Sequence, residues 1–555
     1  MLDTLIHSGT IVDGSGAPRF RGDIGITDGR IVFVRPTPEA PRTPGTDADS
    51  GTTPAARTVL DASGKVVCPG FIDLHSHGDF TVHGSPTGET QLLQGVTTAV
   101  LGNCGSSPFP THSVADTAAH KGHLNAVLHG EWSDATGYIE ATRAVRPGLN
   151  LVLQLGLSNL RTFVMGPAER APSAAELAAM QDEIRKAAAV GVRGFSTGLI
   201  YAPASYAQED EITALVATAA ECDMLYSTHM RNESGGLLDA VDEAIRTAEN
   251  AGARLEISHL KAMGPAHHGL TAQAFARIEA ARTRGVDVMA DVYPYTASST
   301  TLTSRMPGWA LDGGFPALLA RLSDPEARDA ITAEVAAGFA RGIGPESVVI
   351  ASVGARTTGP SAPGPNGSGG TGTPDHTWAV GRSIAEIAEA EECSPAEAAA
   401  RLLHAHSASV AIINHGMDEE EVASVLRHPL VSVASDGAVL SMTRKGTPHP
   451  RAFGTFVRVL DTYVRERGVL SLEEAIRKMT SLPAGRLGTG ERGTLRDGAV
   501  ADVVVFDPAT VKENATFLDP WQLASGVSEV LVNGVFAVAG GALTENRAGE
   551  VLTEW

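Results

Sequence analysis

The middle of this 555-residue chain alternates short apolar segments with Ala-rich helical patterns, and this alternation limits the possible fold more than any other feature. Strands that alternate with helices predict parallel βαβ units, and eight such units predict a (β/α)8 barrel of the TIM type. A doubly wound open sheet is the alternative. The predicted strands are residues 66–74, 97–102, 150–157, 194–199, 224–228, 254–258, 287–293 and 430–434, and helical patterns include 173–189, 239–251, 272–284 and 394–406.

The two ends of the chain have a different pattern, with short β-type segments separated by Gly-rich turns. Asp28-Gly29 and Asn533-Gly534 are hairpin signals. The economical arrangement is a small β-sandwich domain built from residues 1–62 and 488–555, with a barrel of residues 63–487 inserted between them. The segments predicted as strands are 4–8, 10–12, 23–27, 30–35, 493–495, 502–507, 527–532 and 535–539, and residues 36–56 are predicted to form a loop.

The distance from the seventh to the eighth barrel strand is too long for one helix. Residues 300–375 are therefore predicted to be an insertion that acts as a lid over the barrel mouth. Within this region we expect a helix at 317–341, a strand at 347–353 and a loop at 359–374. His376, Met306 and Trp309 are candidates to line a pocket under the lid, although apolar lid residues also pack a core of their own.

Charge and cysteine content exclude several classes of protein. The net charge of −21 argues against nucleic acid or an anionic membrane as a partner. The four cysteines form no Cys-x-x-Cys pair, which fits a reducing compartment. No signal sequence or membrane span is apparent, so the sequence predicts a soluble, cytoplasmic protein.

Metal-ligand residue types recur at the carboxyl ends of the predicted strands, where barrels of this kind place their active sites. They are His75 and His77 after strand one, Cys104 after strand two, His229 after strand five, His259 after strand six and Asp436 after strand eight. Any one of them alone is an ordinary structural residue. Together, imidazole, thiolate and carboxylate groups suit Zn²⁺.

The motifs around these residues resemble a known family. His-x-His after strand one, single histidines after strands five and six and an aspartate after strand eight are the pattern of the amidohydrolase superfamily. Within that superfamily the chain resembles the D-aminoacylase (N-acyl-D-amino-acid deacylase) family over nearly its whole length. The motifs that carry the likeness are residues 102–105 (GNCG), 228–233 (THMRNE), 258–261 (SHLK), 291–295 (DVYPY) and 435–437 (SDG).

The resemblance implies a division of the metal ligands. Cys104, His229 and His259 would hold one tight zinc, and His75, His77 and Asp436 would flank a second site that is weaker or empty. Relatives such as hydantoinases bridge two metals with a carboxylated lysine after strand four. Strand four here, residues 194–199, has no lysine, which agrees with the cysteine-containing subgroup.

Amide hydrolysis also needs a proton carrier and a grip on the substrate. Asp436 is the candidate base that takes a proton from water and returns it to the leaving amine; the alternative is that it is only a ligand. Lys261, Tyr293 and Arg451 suit a substrate carboxylate. In the resembled family the matching residues contact that carboxylate, together with a serine that falls at Ser299. Because the loop before Arg451 is longer than usual, Arg444 competes with it for this role.

The sequence therefore predicts a zinc enzyme that hydrolyses N-acyl-D-amino acids to a carboxylate and a free D-amino acid. Its partner is a small molecule that carries a carboxylate. One alternative is an amidohydrolase of another amide, such as a cyclic imide, a dipeptide or an acylated metabolite. A second alternative is a non-catalytic scaffold on the same fold. The acyl group, the side-chain preference, the number of metals and the oligomeric state stay open.

Overall fold

The computed structural model describes residues 1–37, 54–124, 126–354 and 376–554. The strands in chain order are β1 (Leu2–Ile11), β2 (Phe20–Thr27), β3 (Arg30–Pro36), β4 (Ala56–Asp61), β5 (Val66–Pro69), β6 (Phe71–Asp73), β7 (Val96–Leu101), β8 (Asn150–Gly156), β9 (Gly194–Gly198), β10 (Leu225–His229), β11 (Leu255–Ile257), β12 (Val288–Val292), β13 (Ala297–Thr301), β14 (Val348–Val353), β15 (Val410–His415), β16 (Val431–Val433), β17 (Val503–Phe506), β18 (Val527–Val532), β19 (Val535–Ala539) and β20 (Ala542–Leu543). The α-helices are α1 (Glu89–Leu92), α2 (Val114–His120), α3 (Ala135–Ala144), α4 (Leu157–Met165), α5 (Ala174–Ala189), α6 (Glu209–Glu221), α7 (Leu237–Ala251), α8 (Leu270–Thr283), α9 (Gly314–Ser323), α10 (Pro325–Arg341), α11 (Ile384–Ala390), α12 (Pro395–Ala405), α13 (Glu419–Arg427), α14 (Arg451–Arg458), α15 (Leu472–Met479) and α16 (Ser481–Leu487).

The central sheet is the predicted barrel, not an open doubly wound sheet. Its strands are β6 to β12 and β16, and each is hydrogen-bonded in parallel to the next in chain order. A parallel bridge between Ser76 and Gly437 joins the first strand region to the last. The buried carboxylate of Asp73 adds a second link, because its Oδ1 accepts a hydrogen bond from the Ser435 backbone N–H at 2.8 Å.

The first barrel strand is shorter than the predicted segment 66–74, which was wrong as one strand. Residues Val66–Pro69 form β5, which pairs with β1 and β17 in the other large sheet. After Gly70 the chain changes partners: the Phe71 backbone N–H bonds to the Gly95 carbonyl, and β6 pairs with β7. One continuous apolar run therefore contributes a strand to each of two sheets. All residues of β5 and β6 are buried, so both strands need mainly apolar side chains.

Both chain ends form a second sheet of nine strands, ordered β20-β19-β18-β17-β5-β1-β2-β3 with β4 beside β1. Its strands enclose a separate apolar core that includes Ile6, Ile24, Val67, Val503 and Leu531. The predicted segments 4–8 and 10–12 are one strand with an irregularity between Ile6 and Gly9. The strand predicted at 493–495 is absent, and β4 was not predicted; it begins at the last residue of the predicted loop 36–56. Residues 38–53 of that loop lie outside the described part.

A third sheet, ordered β13-β15-β14, lies between the seventh and eighth barrel strands in sequence. Helices α9 to α12 pack on it around a core of their own, with Leu318, Val335, Ile387 and Leu402 among its residues. The helix predicted at 317–341 is two helices, because Asp324 caps the second one and Pro325 cannot continue the first. The predicted loop 359–374 lies outside the described residues. In the described part of the chain, no helix combines the length and apolarity that crossing a membrane requires.

Candidate metal centre

Six side chains at the carboxyl ends of five barrel strands lie close together. His75 and His77 follow β6, Cys104 follows β7, and His229 ends β10. His259 follows β11, and Asp436 follows β16. Their potential ligand atoms form two groups, His75–His77–Cys104–Asp436 and Cys104–His229–His259, and within each group all atoms lie within 4.8 Å of one another. Cys104 belongs to both groups and therefore stands at the centre of the cluster.

The backbone at three of these positions is unusual. Cys104, His259 and Asp436 have φ angles of 53°, 37° and 50°, in the left-handed region that non-glycine residues seldom occupy. Such a conformation costs on the order of 1–3 kcal/mol and persists where the surrounding structure enforces it. The strained positions coincide with the candidate ligands, which is typical of a functional site.

The loop that carries Cys104 is packed directly against neighbouring backbone. A Cβ atom on Gly102 would lie 2.2 Å from the carbonyl oxygen of Gln154, and one on Gly105 would lie 2.6 Å from the backbone nitrogen of Gly198. Both glycines also have positive φ angles. Residues 102 and 105 of this motif therefore need to be glycine, because any side chain there would keep the loop from packing against the backbone that positions the Cys104 thiol in the barrel mouth.

Cys104 is surrounded by imidazoles. Its Sγ lies 3.2 Å from His75 Nε2 and 3.4 Å from His259 Nε2. Burial raises the pKa of the thiol, but the positive potential of His75 and His259 outweighs burial and holds this pKa well below its usual range. The sulfur is thus prepared to act as a thiolate, which is the form that binds metals.

Asp436 connects the cluster to a cation. Its Oδ1 lies 3.0 Å from His77 Nε2 and 3.4 Å from His75 Nε2, while its Oδ2 lies 2.7 Å from Arg451 Nη1. Although burial raises the pKa of this carboxyl, Arg451 and His75 hold it well below the usual value. Asp436 is therefore a carboxylate at neutral pH.

His229 provides an independent test of whether these residues fit a metal. The residue is 5% exposed, and neither ring nitrogen has a hydrogen-bond partner in the described structure. Buried polar atoms are normally satisfied, so two orphan nitrogens beside a thiol and a second imidazole call for an explanation. A metal ion shared with Cys104 and His259 accounts for one of them, and the donor set suits zinc.

Two carboxylates that we did not predict contact the candidate ligand histidines on the side away from Cys104. Asp291 Oδ2 lies 3.3 Å from His75 Nδ1, and its Oδ1 accepts the backbone N–H of His259 at 2.7 Å. Glu233 Oε1 lies 2.9 Å from His259 Nδ1. Both contacts leave the Nε2 atoms facing Cys104, which is how carboxylates orient metal-binding histidines. Both residues lie inside quoted motifs, but only three-dimensional contacts reveal these roles.

The predicted carboxylate-binding residues lie next to the cluster, and two of them are already paired with acids. Lys261 Nζ lies 2.5 Å from Glu233 Oε1, and Arg451 contacts Asp436 and also donates to the Ser299 carbonyl at 3.1 Å. The Tyr293 hydroxyl is buried and has no partner in the described structure. Arg444, the competitor of Arg451, is exposed on the loop and makes no such contact.

Two cavities meet at the cluster. His77, Cys104 and Asp436 line both a small cavity of about 150 Å³ and a large one of about 780 Å³. The small cavity also contains Lys261, Tyr293, Ser298, Arg305 and Asn414, and the large one opens past Tyr201 toward the loops after β6 and β7. Tyr201, which sequence reasoning missed, stacks edge-on against His229 with ring centroids 4.9 Å apart.

Three residues considered as pocket lining lie elsewhere. Met306 is buried in the core of the inserted segment, and the exposed Trp309 donates its ring N–H to Glu334. His376 is buried between His406 and Glu391. Other apolar residues of the insertion do reach the cavities: Leu311 and Phe315 line the large one, and Ile343 lines the small one.

Comparison with known proteins is consistent across sequence and structure. Residues 58–538 match the model of a family described as the amidohydrolase family. The chain is 36% identical to N-acyl-D-glutamate deacylase of Alcaligenes xylosoxydans xylosoxydans over 99% of this chain and 96% of that protein. It is 33% identical to D-aminoacylase of the same organism, over 99% and 97%. The crystal structure of N-acyl-D-glutamate deacylase from Bordetella bronchiseptica, complexed with zinc and a phosphonate inhibitor, superposes with a TM-score of 0.79 at 35% identity and covers both chains completely.

Proposed function

The chain belongs to the amidohydrolase family, and from this premise we propose that it is a zinc-dependent hydrolase that removes the acyl group from N-acyl-D-amino acids. The proposal rests chiefly on the Cys104-centred cluster at the junction of two cavities. A hydrolysed amide has two halves, and a reactive centre between two cavities can hold one half in each. The D configuration rests on the named relatives.

Within this function the chain's own groups divide the work. Cys104, His229 and His259 would hold the tight zinc, and His75, His77 and Asp436 would flank a weaker position. When bound, such an ion supplies Lewis acidity and lowers the pKa of water. The carboxylate of Asp436 is the proton carrier: it takes a proton from water and returns it to the nitrogen of the leaving amine. Arg451, at 2.7 Å, fixes the orientation of that carboxylate.

The small cavity is the proposed site of the amino-acid half. The orphan hydroxyl of Tyr293 and the ammonium group of Lys261 offer donors that a substrate α-carboxylate needs. Arg451 lies in the wall of the large cavity, in contact with Asp436, which lines both cavities. Lys261 forms an ion pair with Glu233, and Arg451 forms one with Asp436. A substrate carboxylate therefore joins one of these ion pairs or replaces its acidic partner. Ser299 lines both cavities.

Arg305 favours a substrate with an acidic side chain. It lines the same small cavity, where its Nη2 donates to Asn414 Oδ1 at 2.6 Å. Burial lowers the pKa of Arg305 to about 10, and no acidic residue of the described structure pairs with it. A half-buried guanidinium that lines a cavity and has no carboxylate partner can bind one from a ligand, and its planar donors suit a bidentate contact. We therefore place the side-chain carboxylate of a D-glutamate or D-aspartate derivative here.

The test is a substrate panel with the zinc-loaded protein. N-acetyl-D-glutamate, N-acetyl-D-glutamine, N-acetyl-D-leucine and the three L-enantiomers are compared by kcat/KM. We expect hydrolysis of the D series only, with glutamate above its uncharged isostere glutamine by about 10- to 100-fold, as expected for one charged hydrogen bond. Arg305→Met should remove that preference, whereas Arg341→Met, on the exposed end of α10, should keep it.

Three results would contradict parts of this proposal. Equal rates on both enantiomers would remove the D preference, and a glutamine derivative as good as the glutamate derivative would remove the role of Arg305. Asp436→Asn should still bind zinc through the other ligands but lose turnover by at least about 100-fold, the scale of general acid–base catalysis. Full activity in that variant would show that the proton carrier is another group.

A further inference from the structure

The large cavity continues beyond the metal cluster into a lobe that the amino-acid half does not need. The 3-10 turn Gly78–Phe80 follows the candidate ligand His77 directly and forms one wall of this lobe. The end of α2 and the chain after it also line this lobe. We call this region the acyl lobe, and the residues that define it are Phe80, Thr81, Ser85, Thr117, Lys121 and Leu124.

The position of the acyl lobe follows from the proposed function, on which this inference rests. The scissile carbonyl must lie at the cluster, because Cys104, His77 and Asp436 line both cavities. If the amino-acid half occupies the small cavity with Tyr293 and Arg305, the acyl half extends the other way. That direction leads along Phe80 into the acyl lobe.

Lys121 gives this lobe a charge. Its Nζ lies 5.4 Å from the centre of the Phe80 ring, which holds the ammonium group over an aromatic face. Burial lowers the pKa of Lys121, and the negative groups that oppose this effect are Asp79 and Cys104. In the described part of the chain, neither Asp79 nor any other carboxylate forms an ion pair with Lys121.

The side chains that line the acyl lobe leave this ammonium group without a facing anion. None of the six residues that define the lobe is acidic. Asp79, the residue before Phe80, is fully buried and does not belong to the cavity wall. The lobe therefore presents a half-buried cation to its ligand, and Thr81 and Ser85 of the same lobe carry hydroxyl groups.

We propose that Lys121 is a specificity-determining residue that binds the distal carboxylate of the acyl group. The preferred substrates are then amides whose acyl group derives from a dicarboxylic acid and keeps its second carboxylate free. N-succinyl-D-amino acids are simple examples. The Phe80 ring packs against the methylene groups of such a chain, and Lys121 pairs with its free end. The competing explanation is a solvated lysine that only covers Phe80.

The experiment compares N-succinyl-D-glutamate with N-butanoyl-D-glutamate, which has the same four-carbon acyl chain without the distal carboxylate. The wild-type protein should prefer the succinyl compound by about 10-fold or more in kcat/KM, the scale of a charged hydrogen bond. Lys121→Met should abolish this ratio, and Lys121→Arg should retain most of it. Lys445→Met removes another lysine of the same cavity and should keep the ratio.

Binding separates this inference from the proposed function. If none of the three N-acetyl-D-amino acids of the panel is hydrolysed, the proposed function fails, and calorimetric affinities of the succinyl and butanoyl compounds then decide the role of Lys121. A weaker succinyl affinity in Lys121→Met, with butanoyl affinity changed less, supports the proposal. Equal losses for both compounds, or no wild-type preference in rate or affinity, would overturn it. Circular dichroism of each folded variant excludes misfolding as the cause.

Discussion

Glu233 offers a sharp test of how the metal centre is held, because one of its oxygens serves two partners. Glu233 Oε1 lies 2.9 Å from His259 Nδ1 and 2.5 Å from Lys261 Nζ, and all three residues are at most 6% exposed. Glu233→Gln keeps the shape of the side chain but removes its charge. We expect weaker zinc binding and a less stable metal-free protein.

The magnitude follows from the two contacts taken separately. The contact to His259 turns its Nε2 toward Cys104 Sγ, 3.4 Å away. Removing a carboxylate that orients a metal-binding histidine typically costs 10- to 100-fold in metal affinity, or about 1.4–2.7 kcal/mol. The contact to Lys261 is a buried charged hydrogen bond, and its loss should lower the free energy of unfolding of the metal-free protein by about 1.5–3 kcal/mol.

Competitive titration with a zinc-binding fluorophore measures the affinity, and urea unfolding of the metal-free protein measures the stability. Glu243→Gln is the matched control, since Glu243 pairs with Arg231 at 2.9 Å and touches no candidate ligand. The control should leave zinc affinity unchanged. If Glu233→Gln binds zinc within about twofold of the wild type, the metal-binding orientation of His259 does not depend on this carboxylate, and the reasoning is refuted.

Three further predictions concern the cluster, the backbone and pH. Cys104→Ala should lose tight zinc binding, measured by the same titration, because the thiolate is common to both ligand groups; unchanged affinity would exclude Cys104 as a ligand. Gly102→Ala should destabilise the fold by more than Gly285→Ala in urea unfolding, because both have positive φ but only Gly102 would press a Cβ on backbone; equal losses would remove the steric argument. Burial lowers the pKa of His83 to about 4, and its Nδ1 accepts the backbone N–H of His129. Because the unfolded chain binds a proton near pH 6.5, the stabilisation is complete above that pH and falls as the pH drops toward 4. His83→Gln should weaken the dependence of the thermal unfolding midpoint on pH between pH 4 and 6.5. The same dependence in the variant and the wild type would contradict this assignment.

The barrel was predictable because its evidence is local. Each strand is a short apolar run followed by a helical pattern, and parallel strands of this kind have few other ways to bury both faces. The first predicted strand shows what a local sequence pattern cannot predict. Residues 66–74 form one apolar run, yet Gly70 divides it between two sheets. Burial in either sheet produces the same apolar pattern, so the sequence alone does not show the change of partner.

The candidate ligands could be predicted for a similar reason. Residues at the carboxyl ends of barrel strands face one mouth whatever the loops do, so His75, Cys104, His259 and Asp436 were expected to meet there. The structure brings them together. The sequence does not reveal that Lys261 pairs with Glu233, because that contact depends on the relative position of two loops, after β10 and β11.

The sequence by itself determined the strand–helix alternation, the positions of the candidate metal-binding side chains and the family resemblance. The tertiary structure alone decided where the cationic side chains lie around the cavities. Arg305 reaches its cavity because a segment inserted after the seventh strand folds back, with Asn414 holding it across 109 residues of chain. Lys121 lies over Phe80 because the loops after the first two strands pack together. Ligand positions follow from backbone periodicity, which is local, whereas pocket charges follow from contacts between distant segments, which no local pattern records.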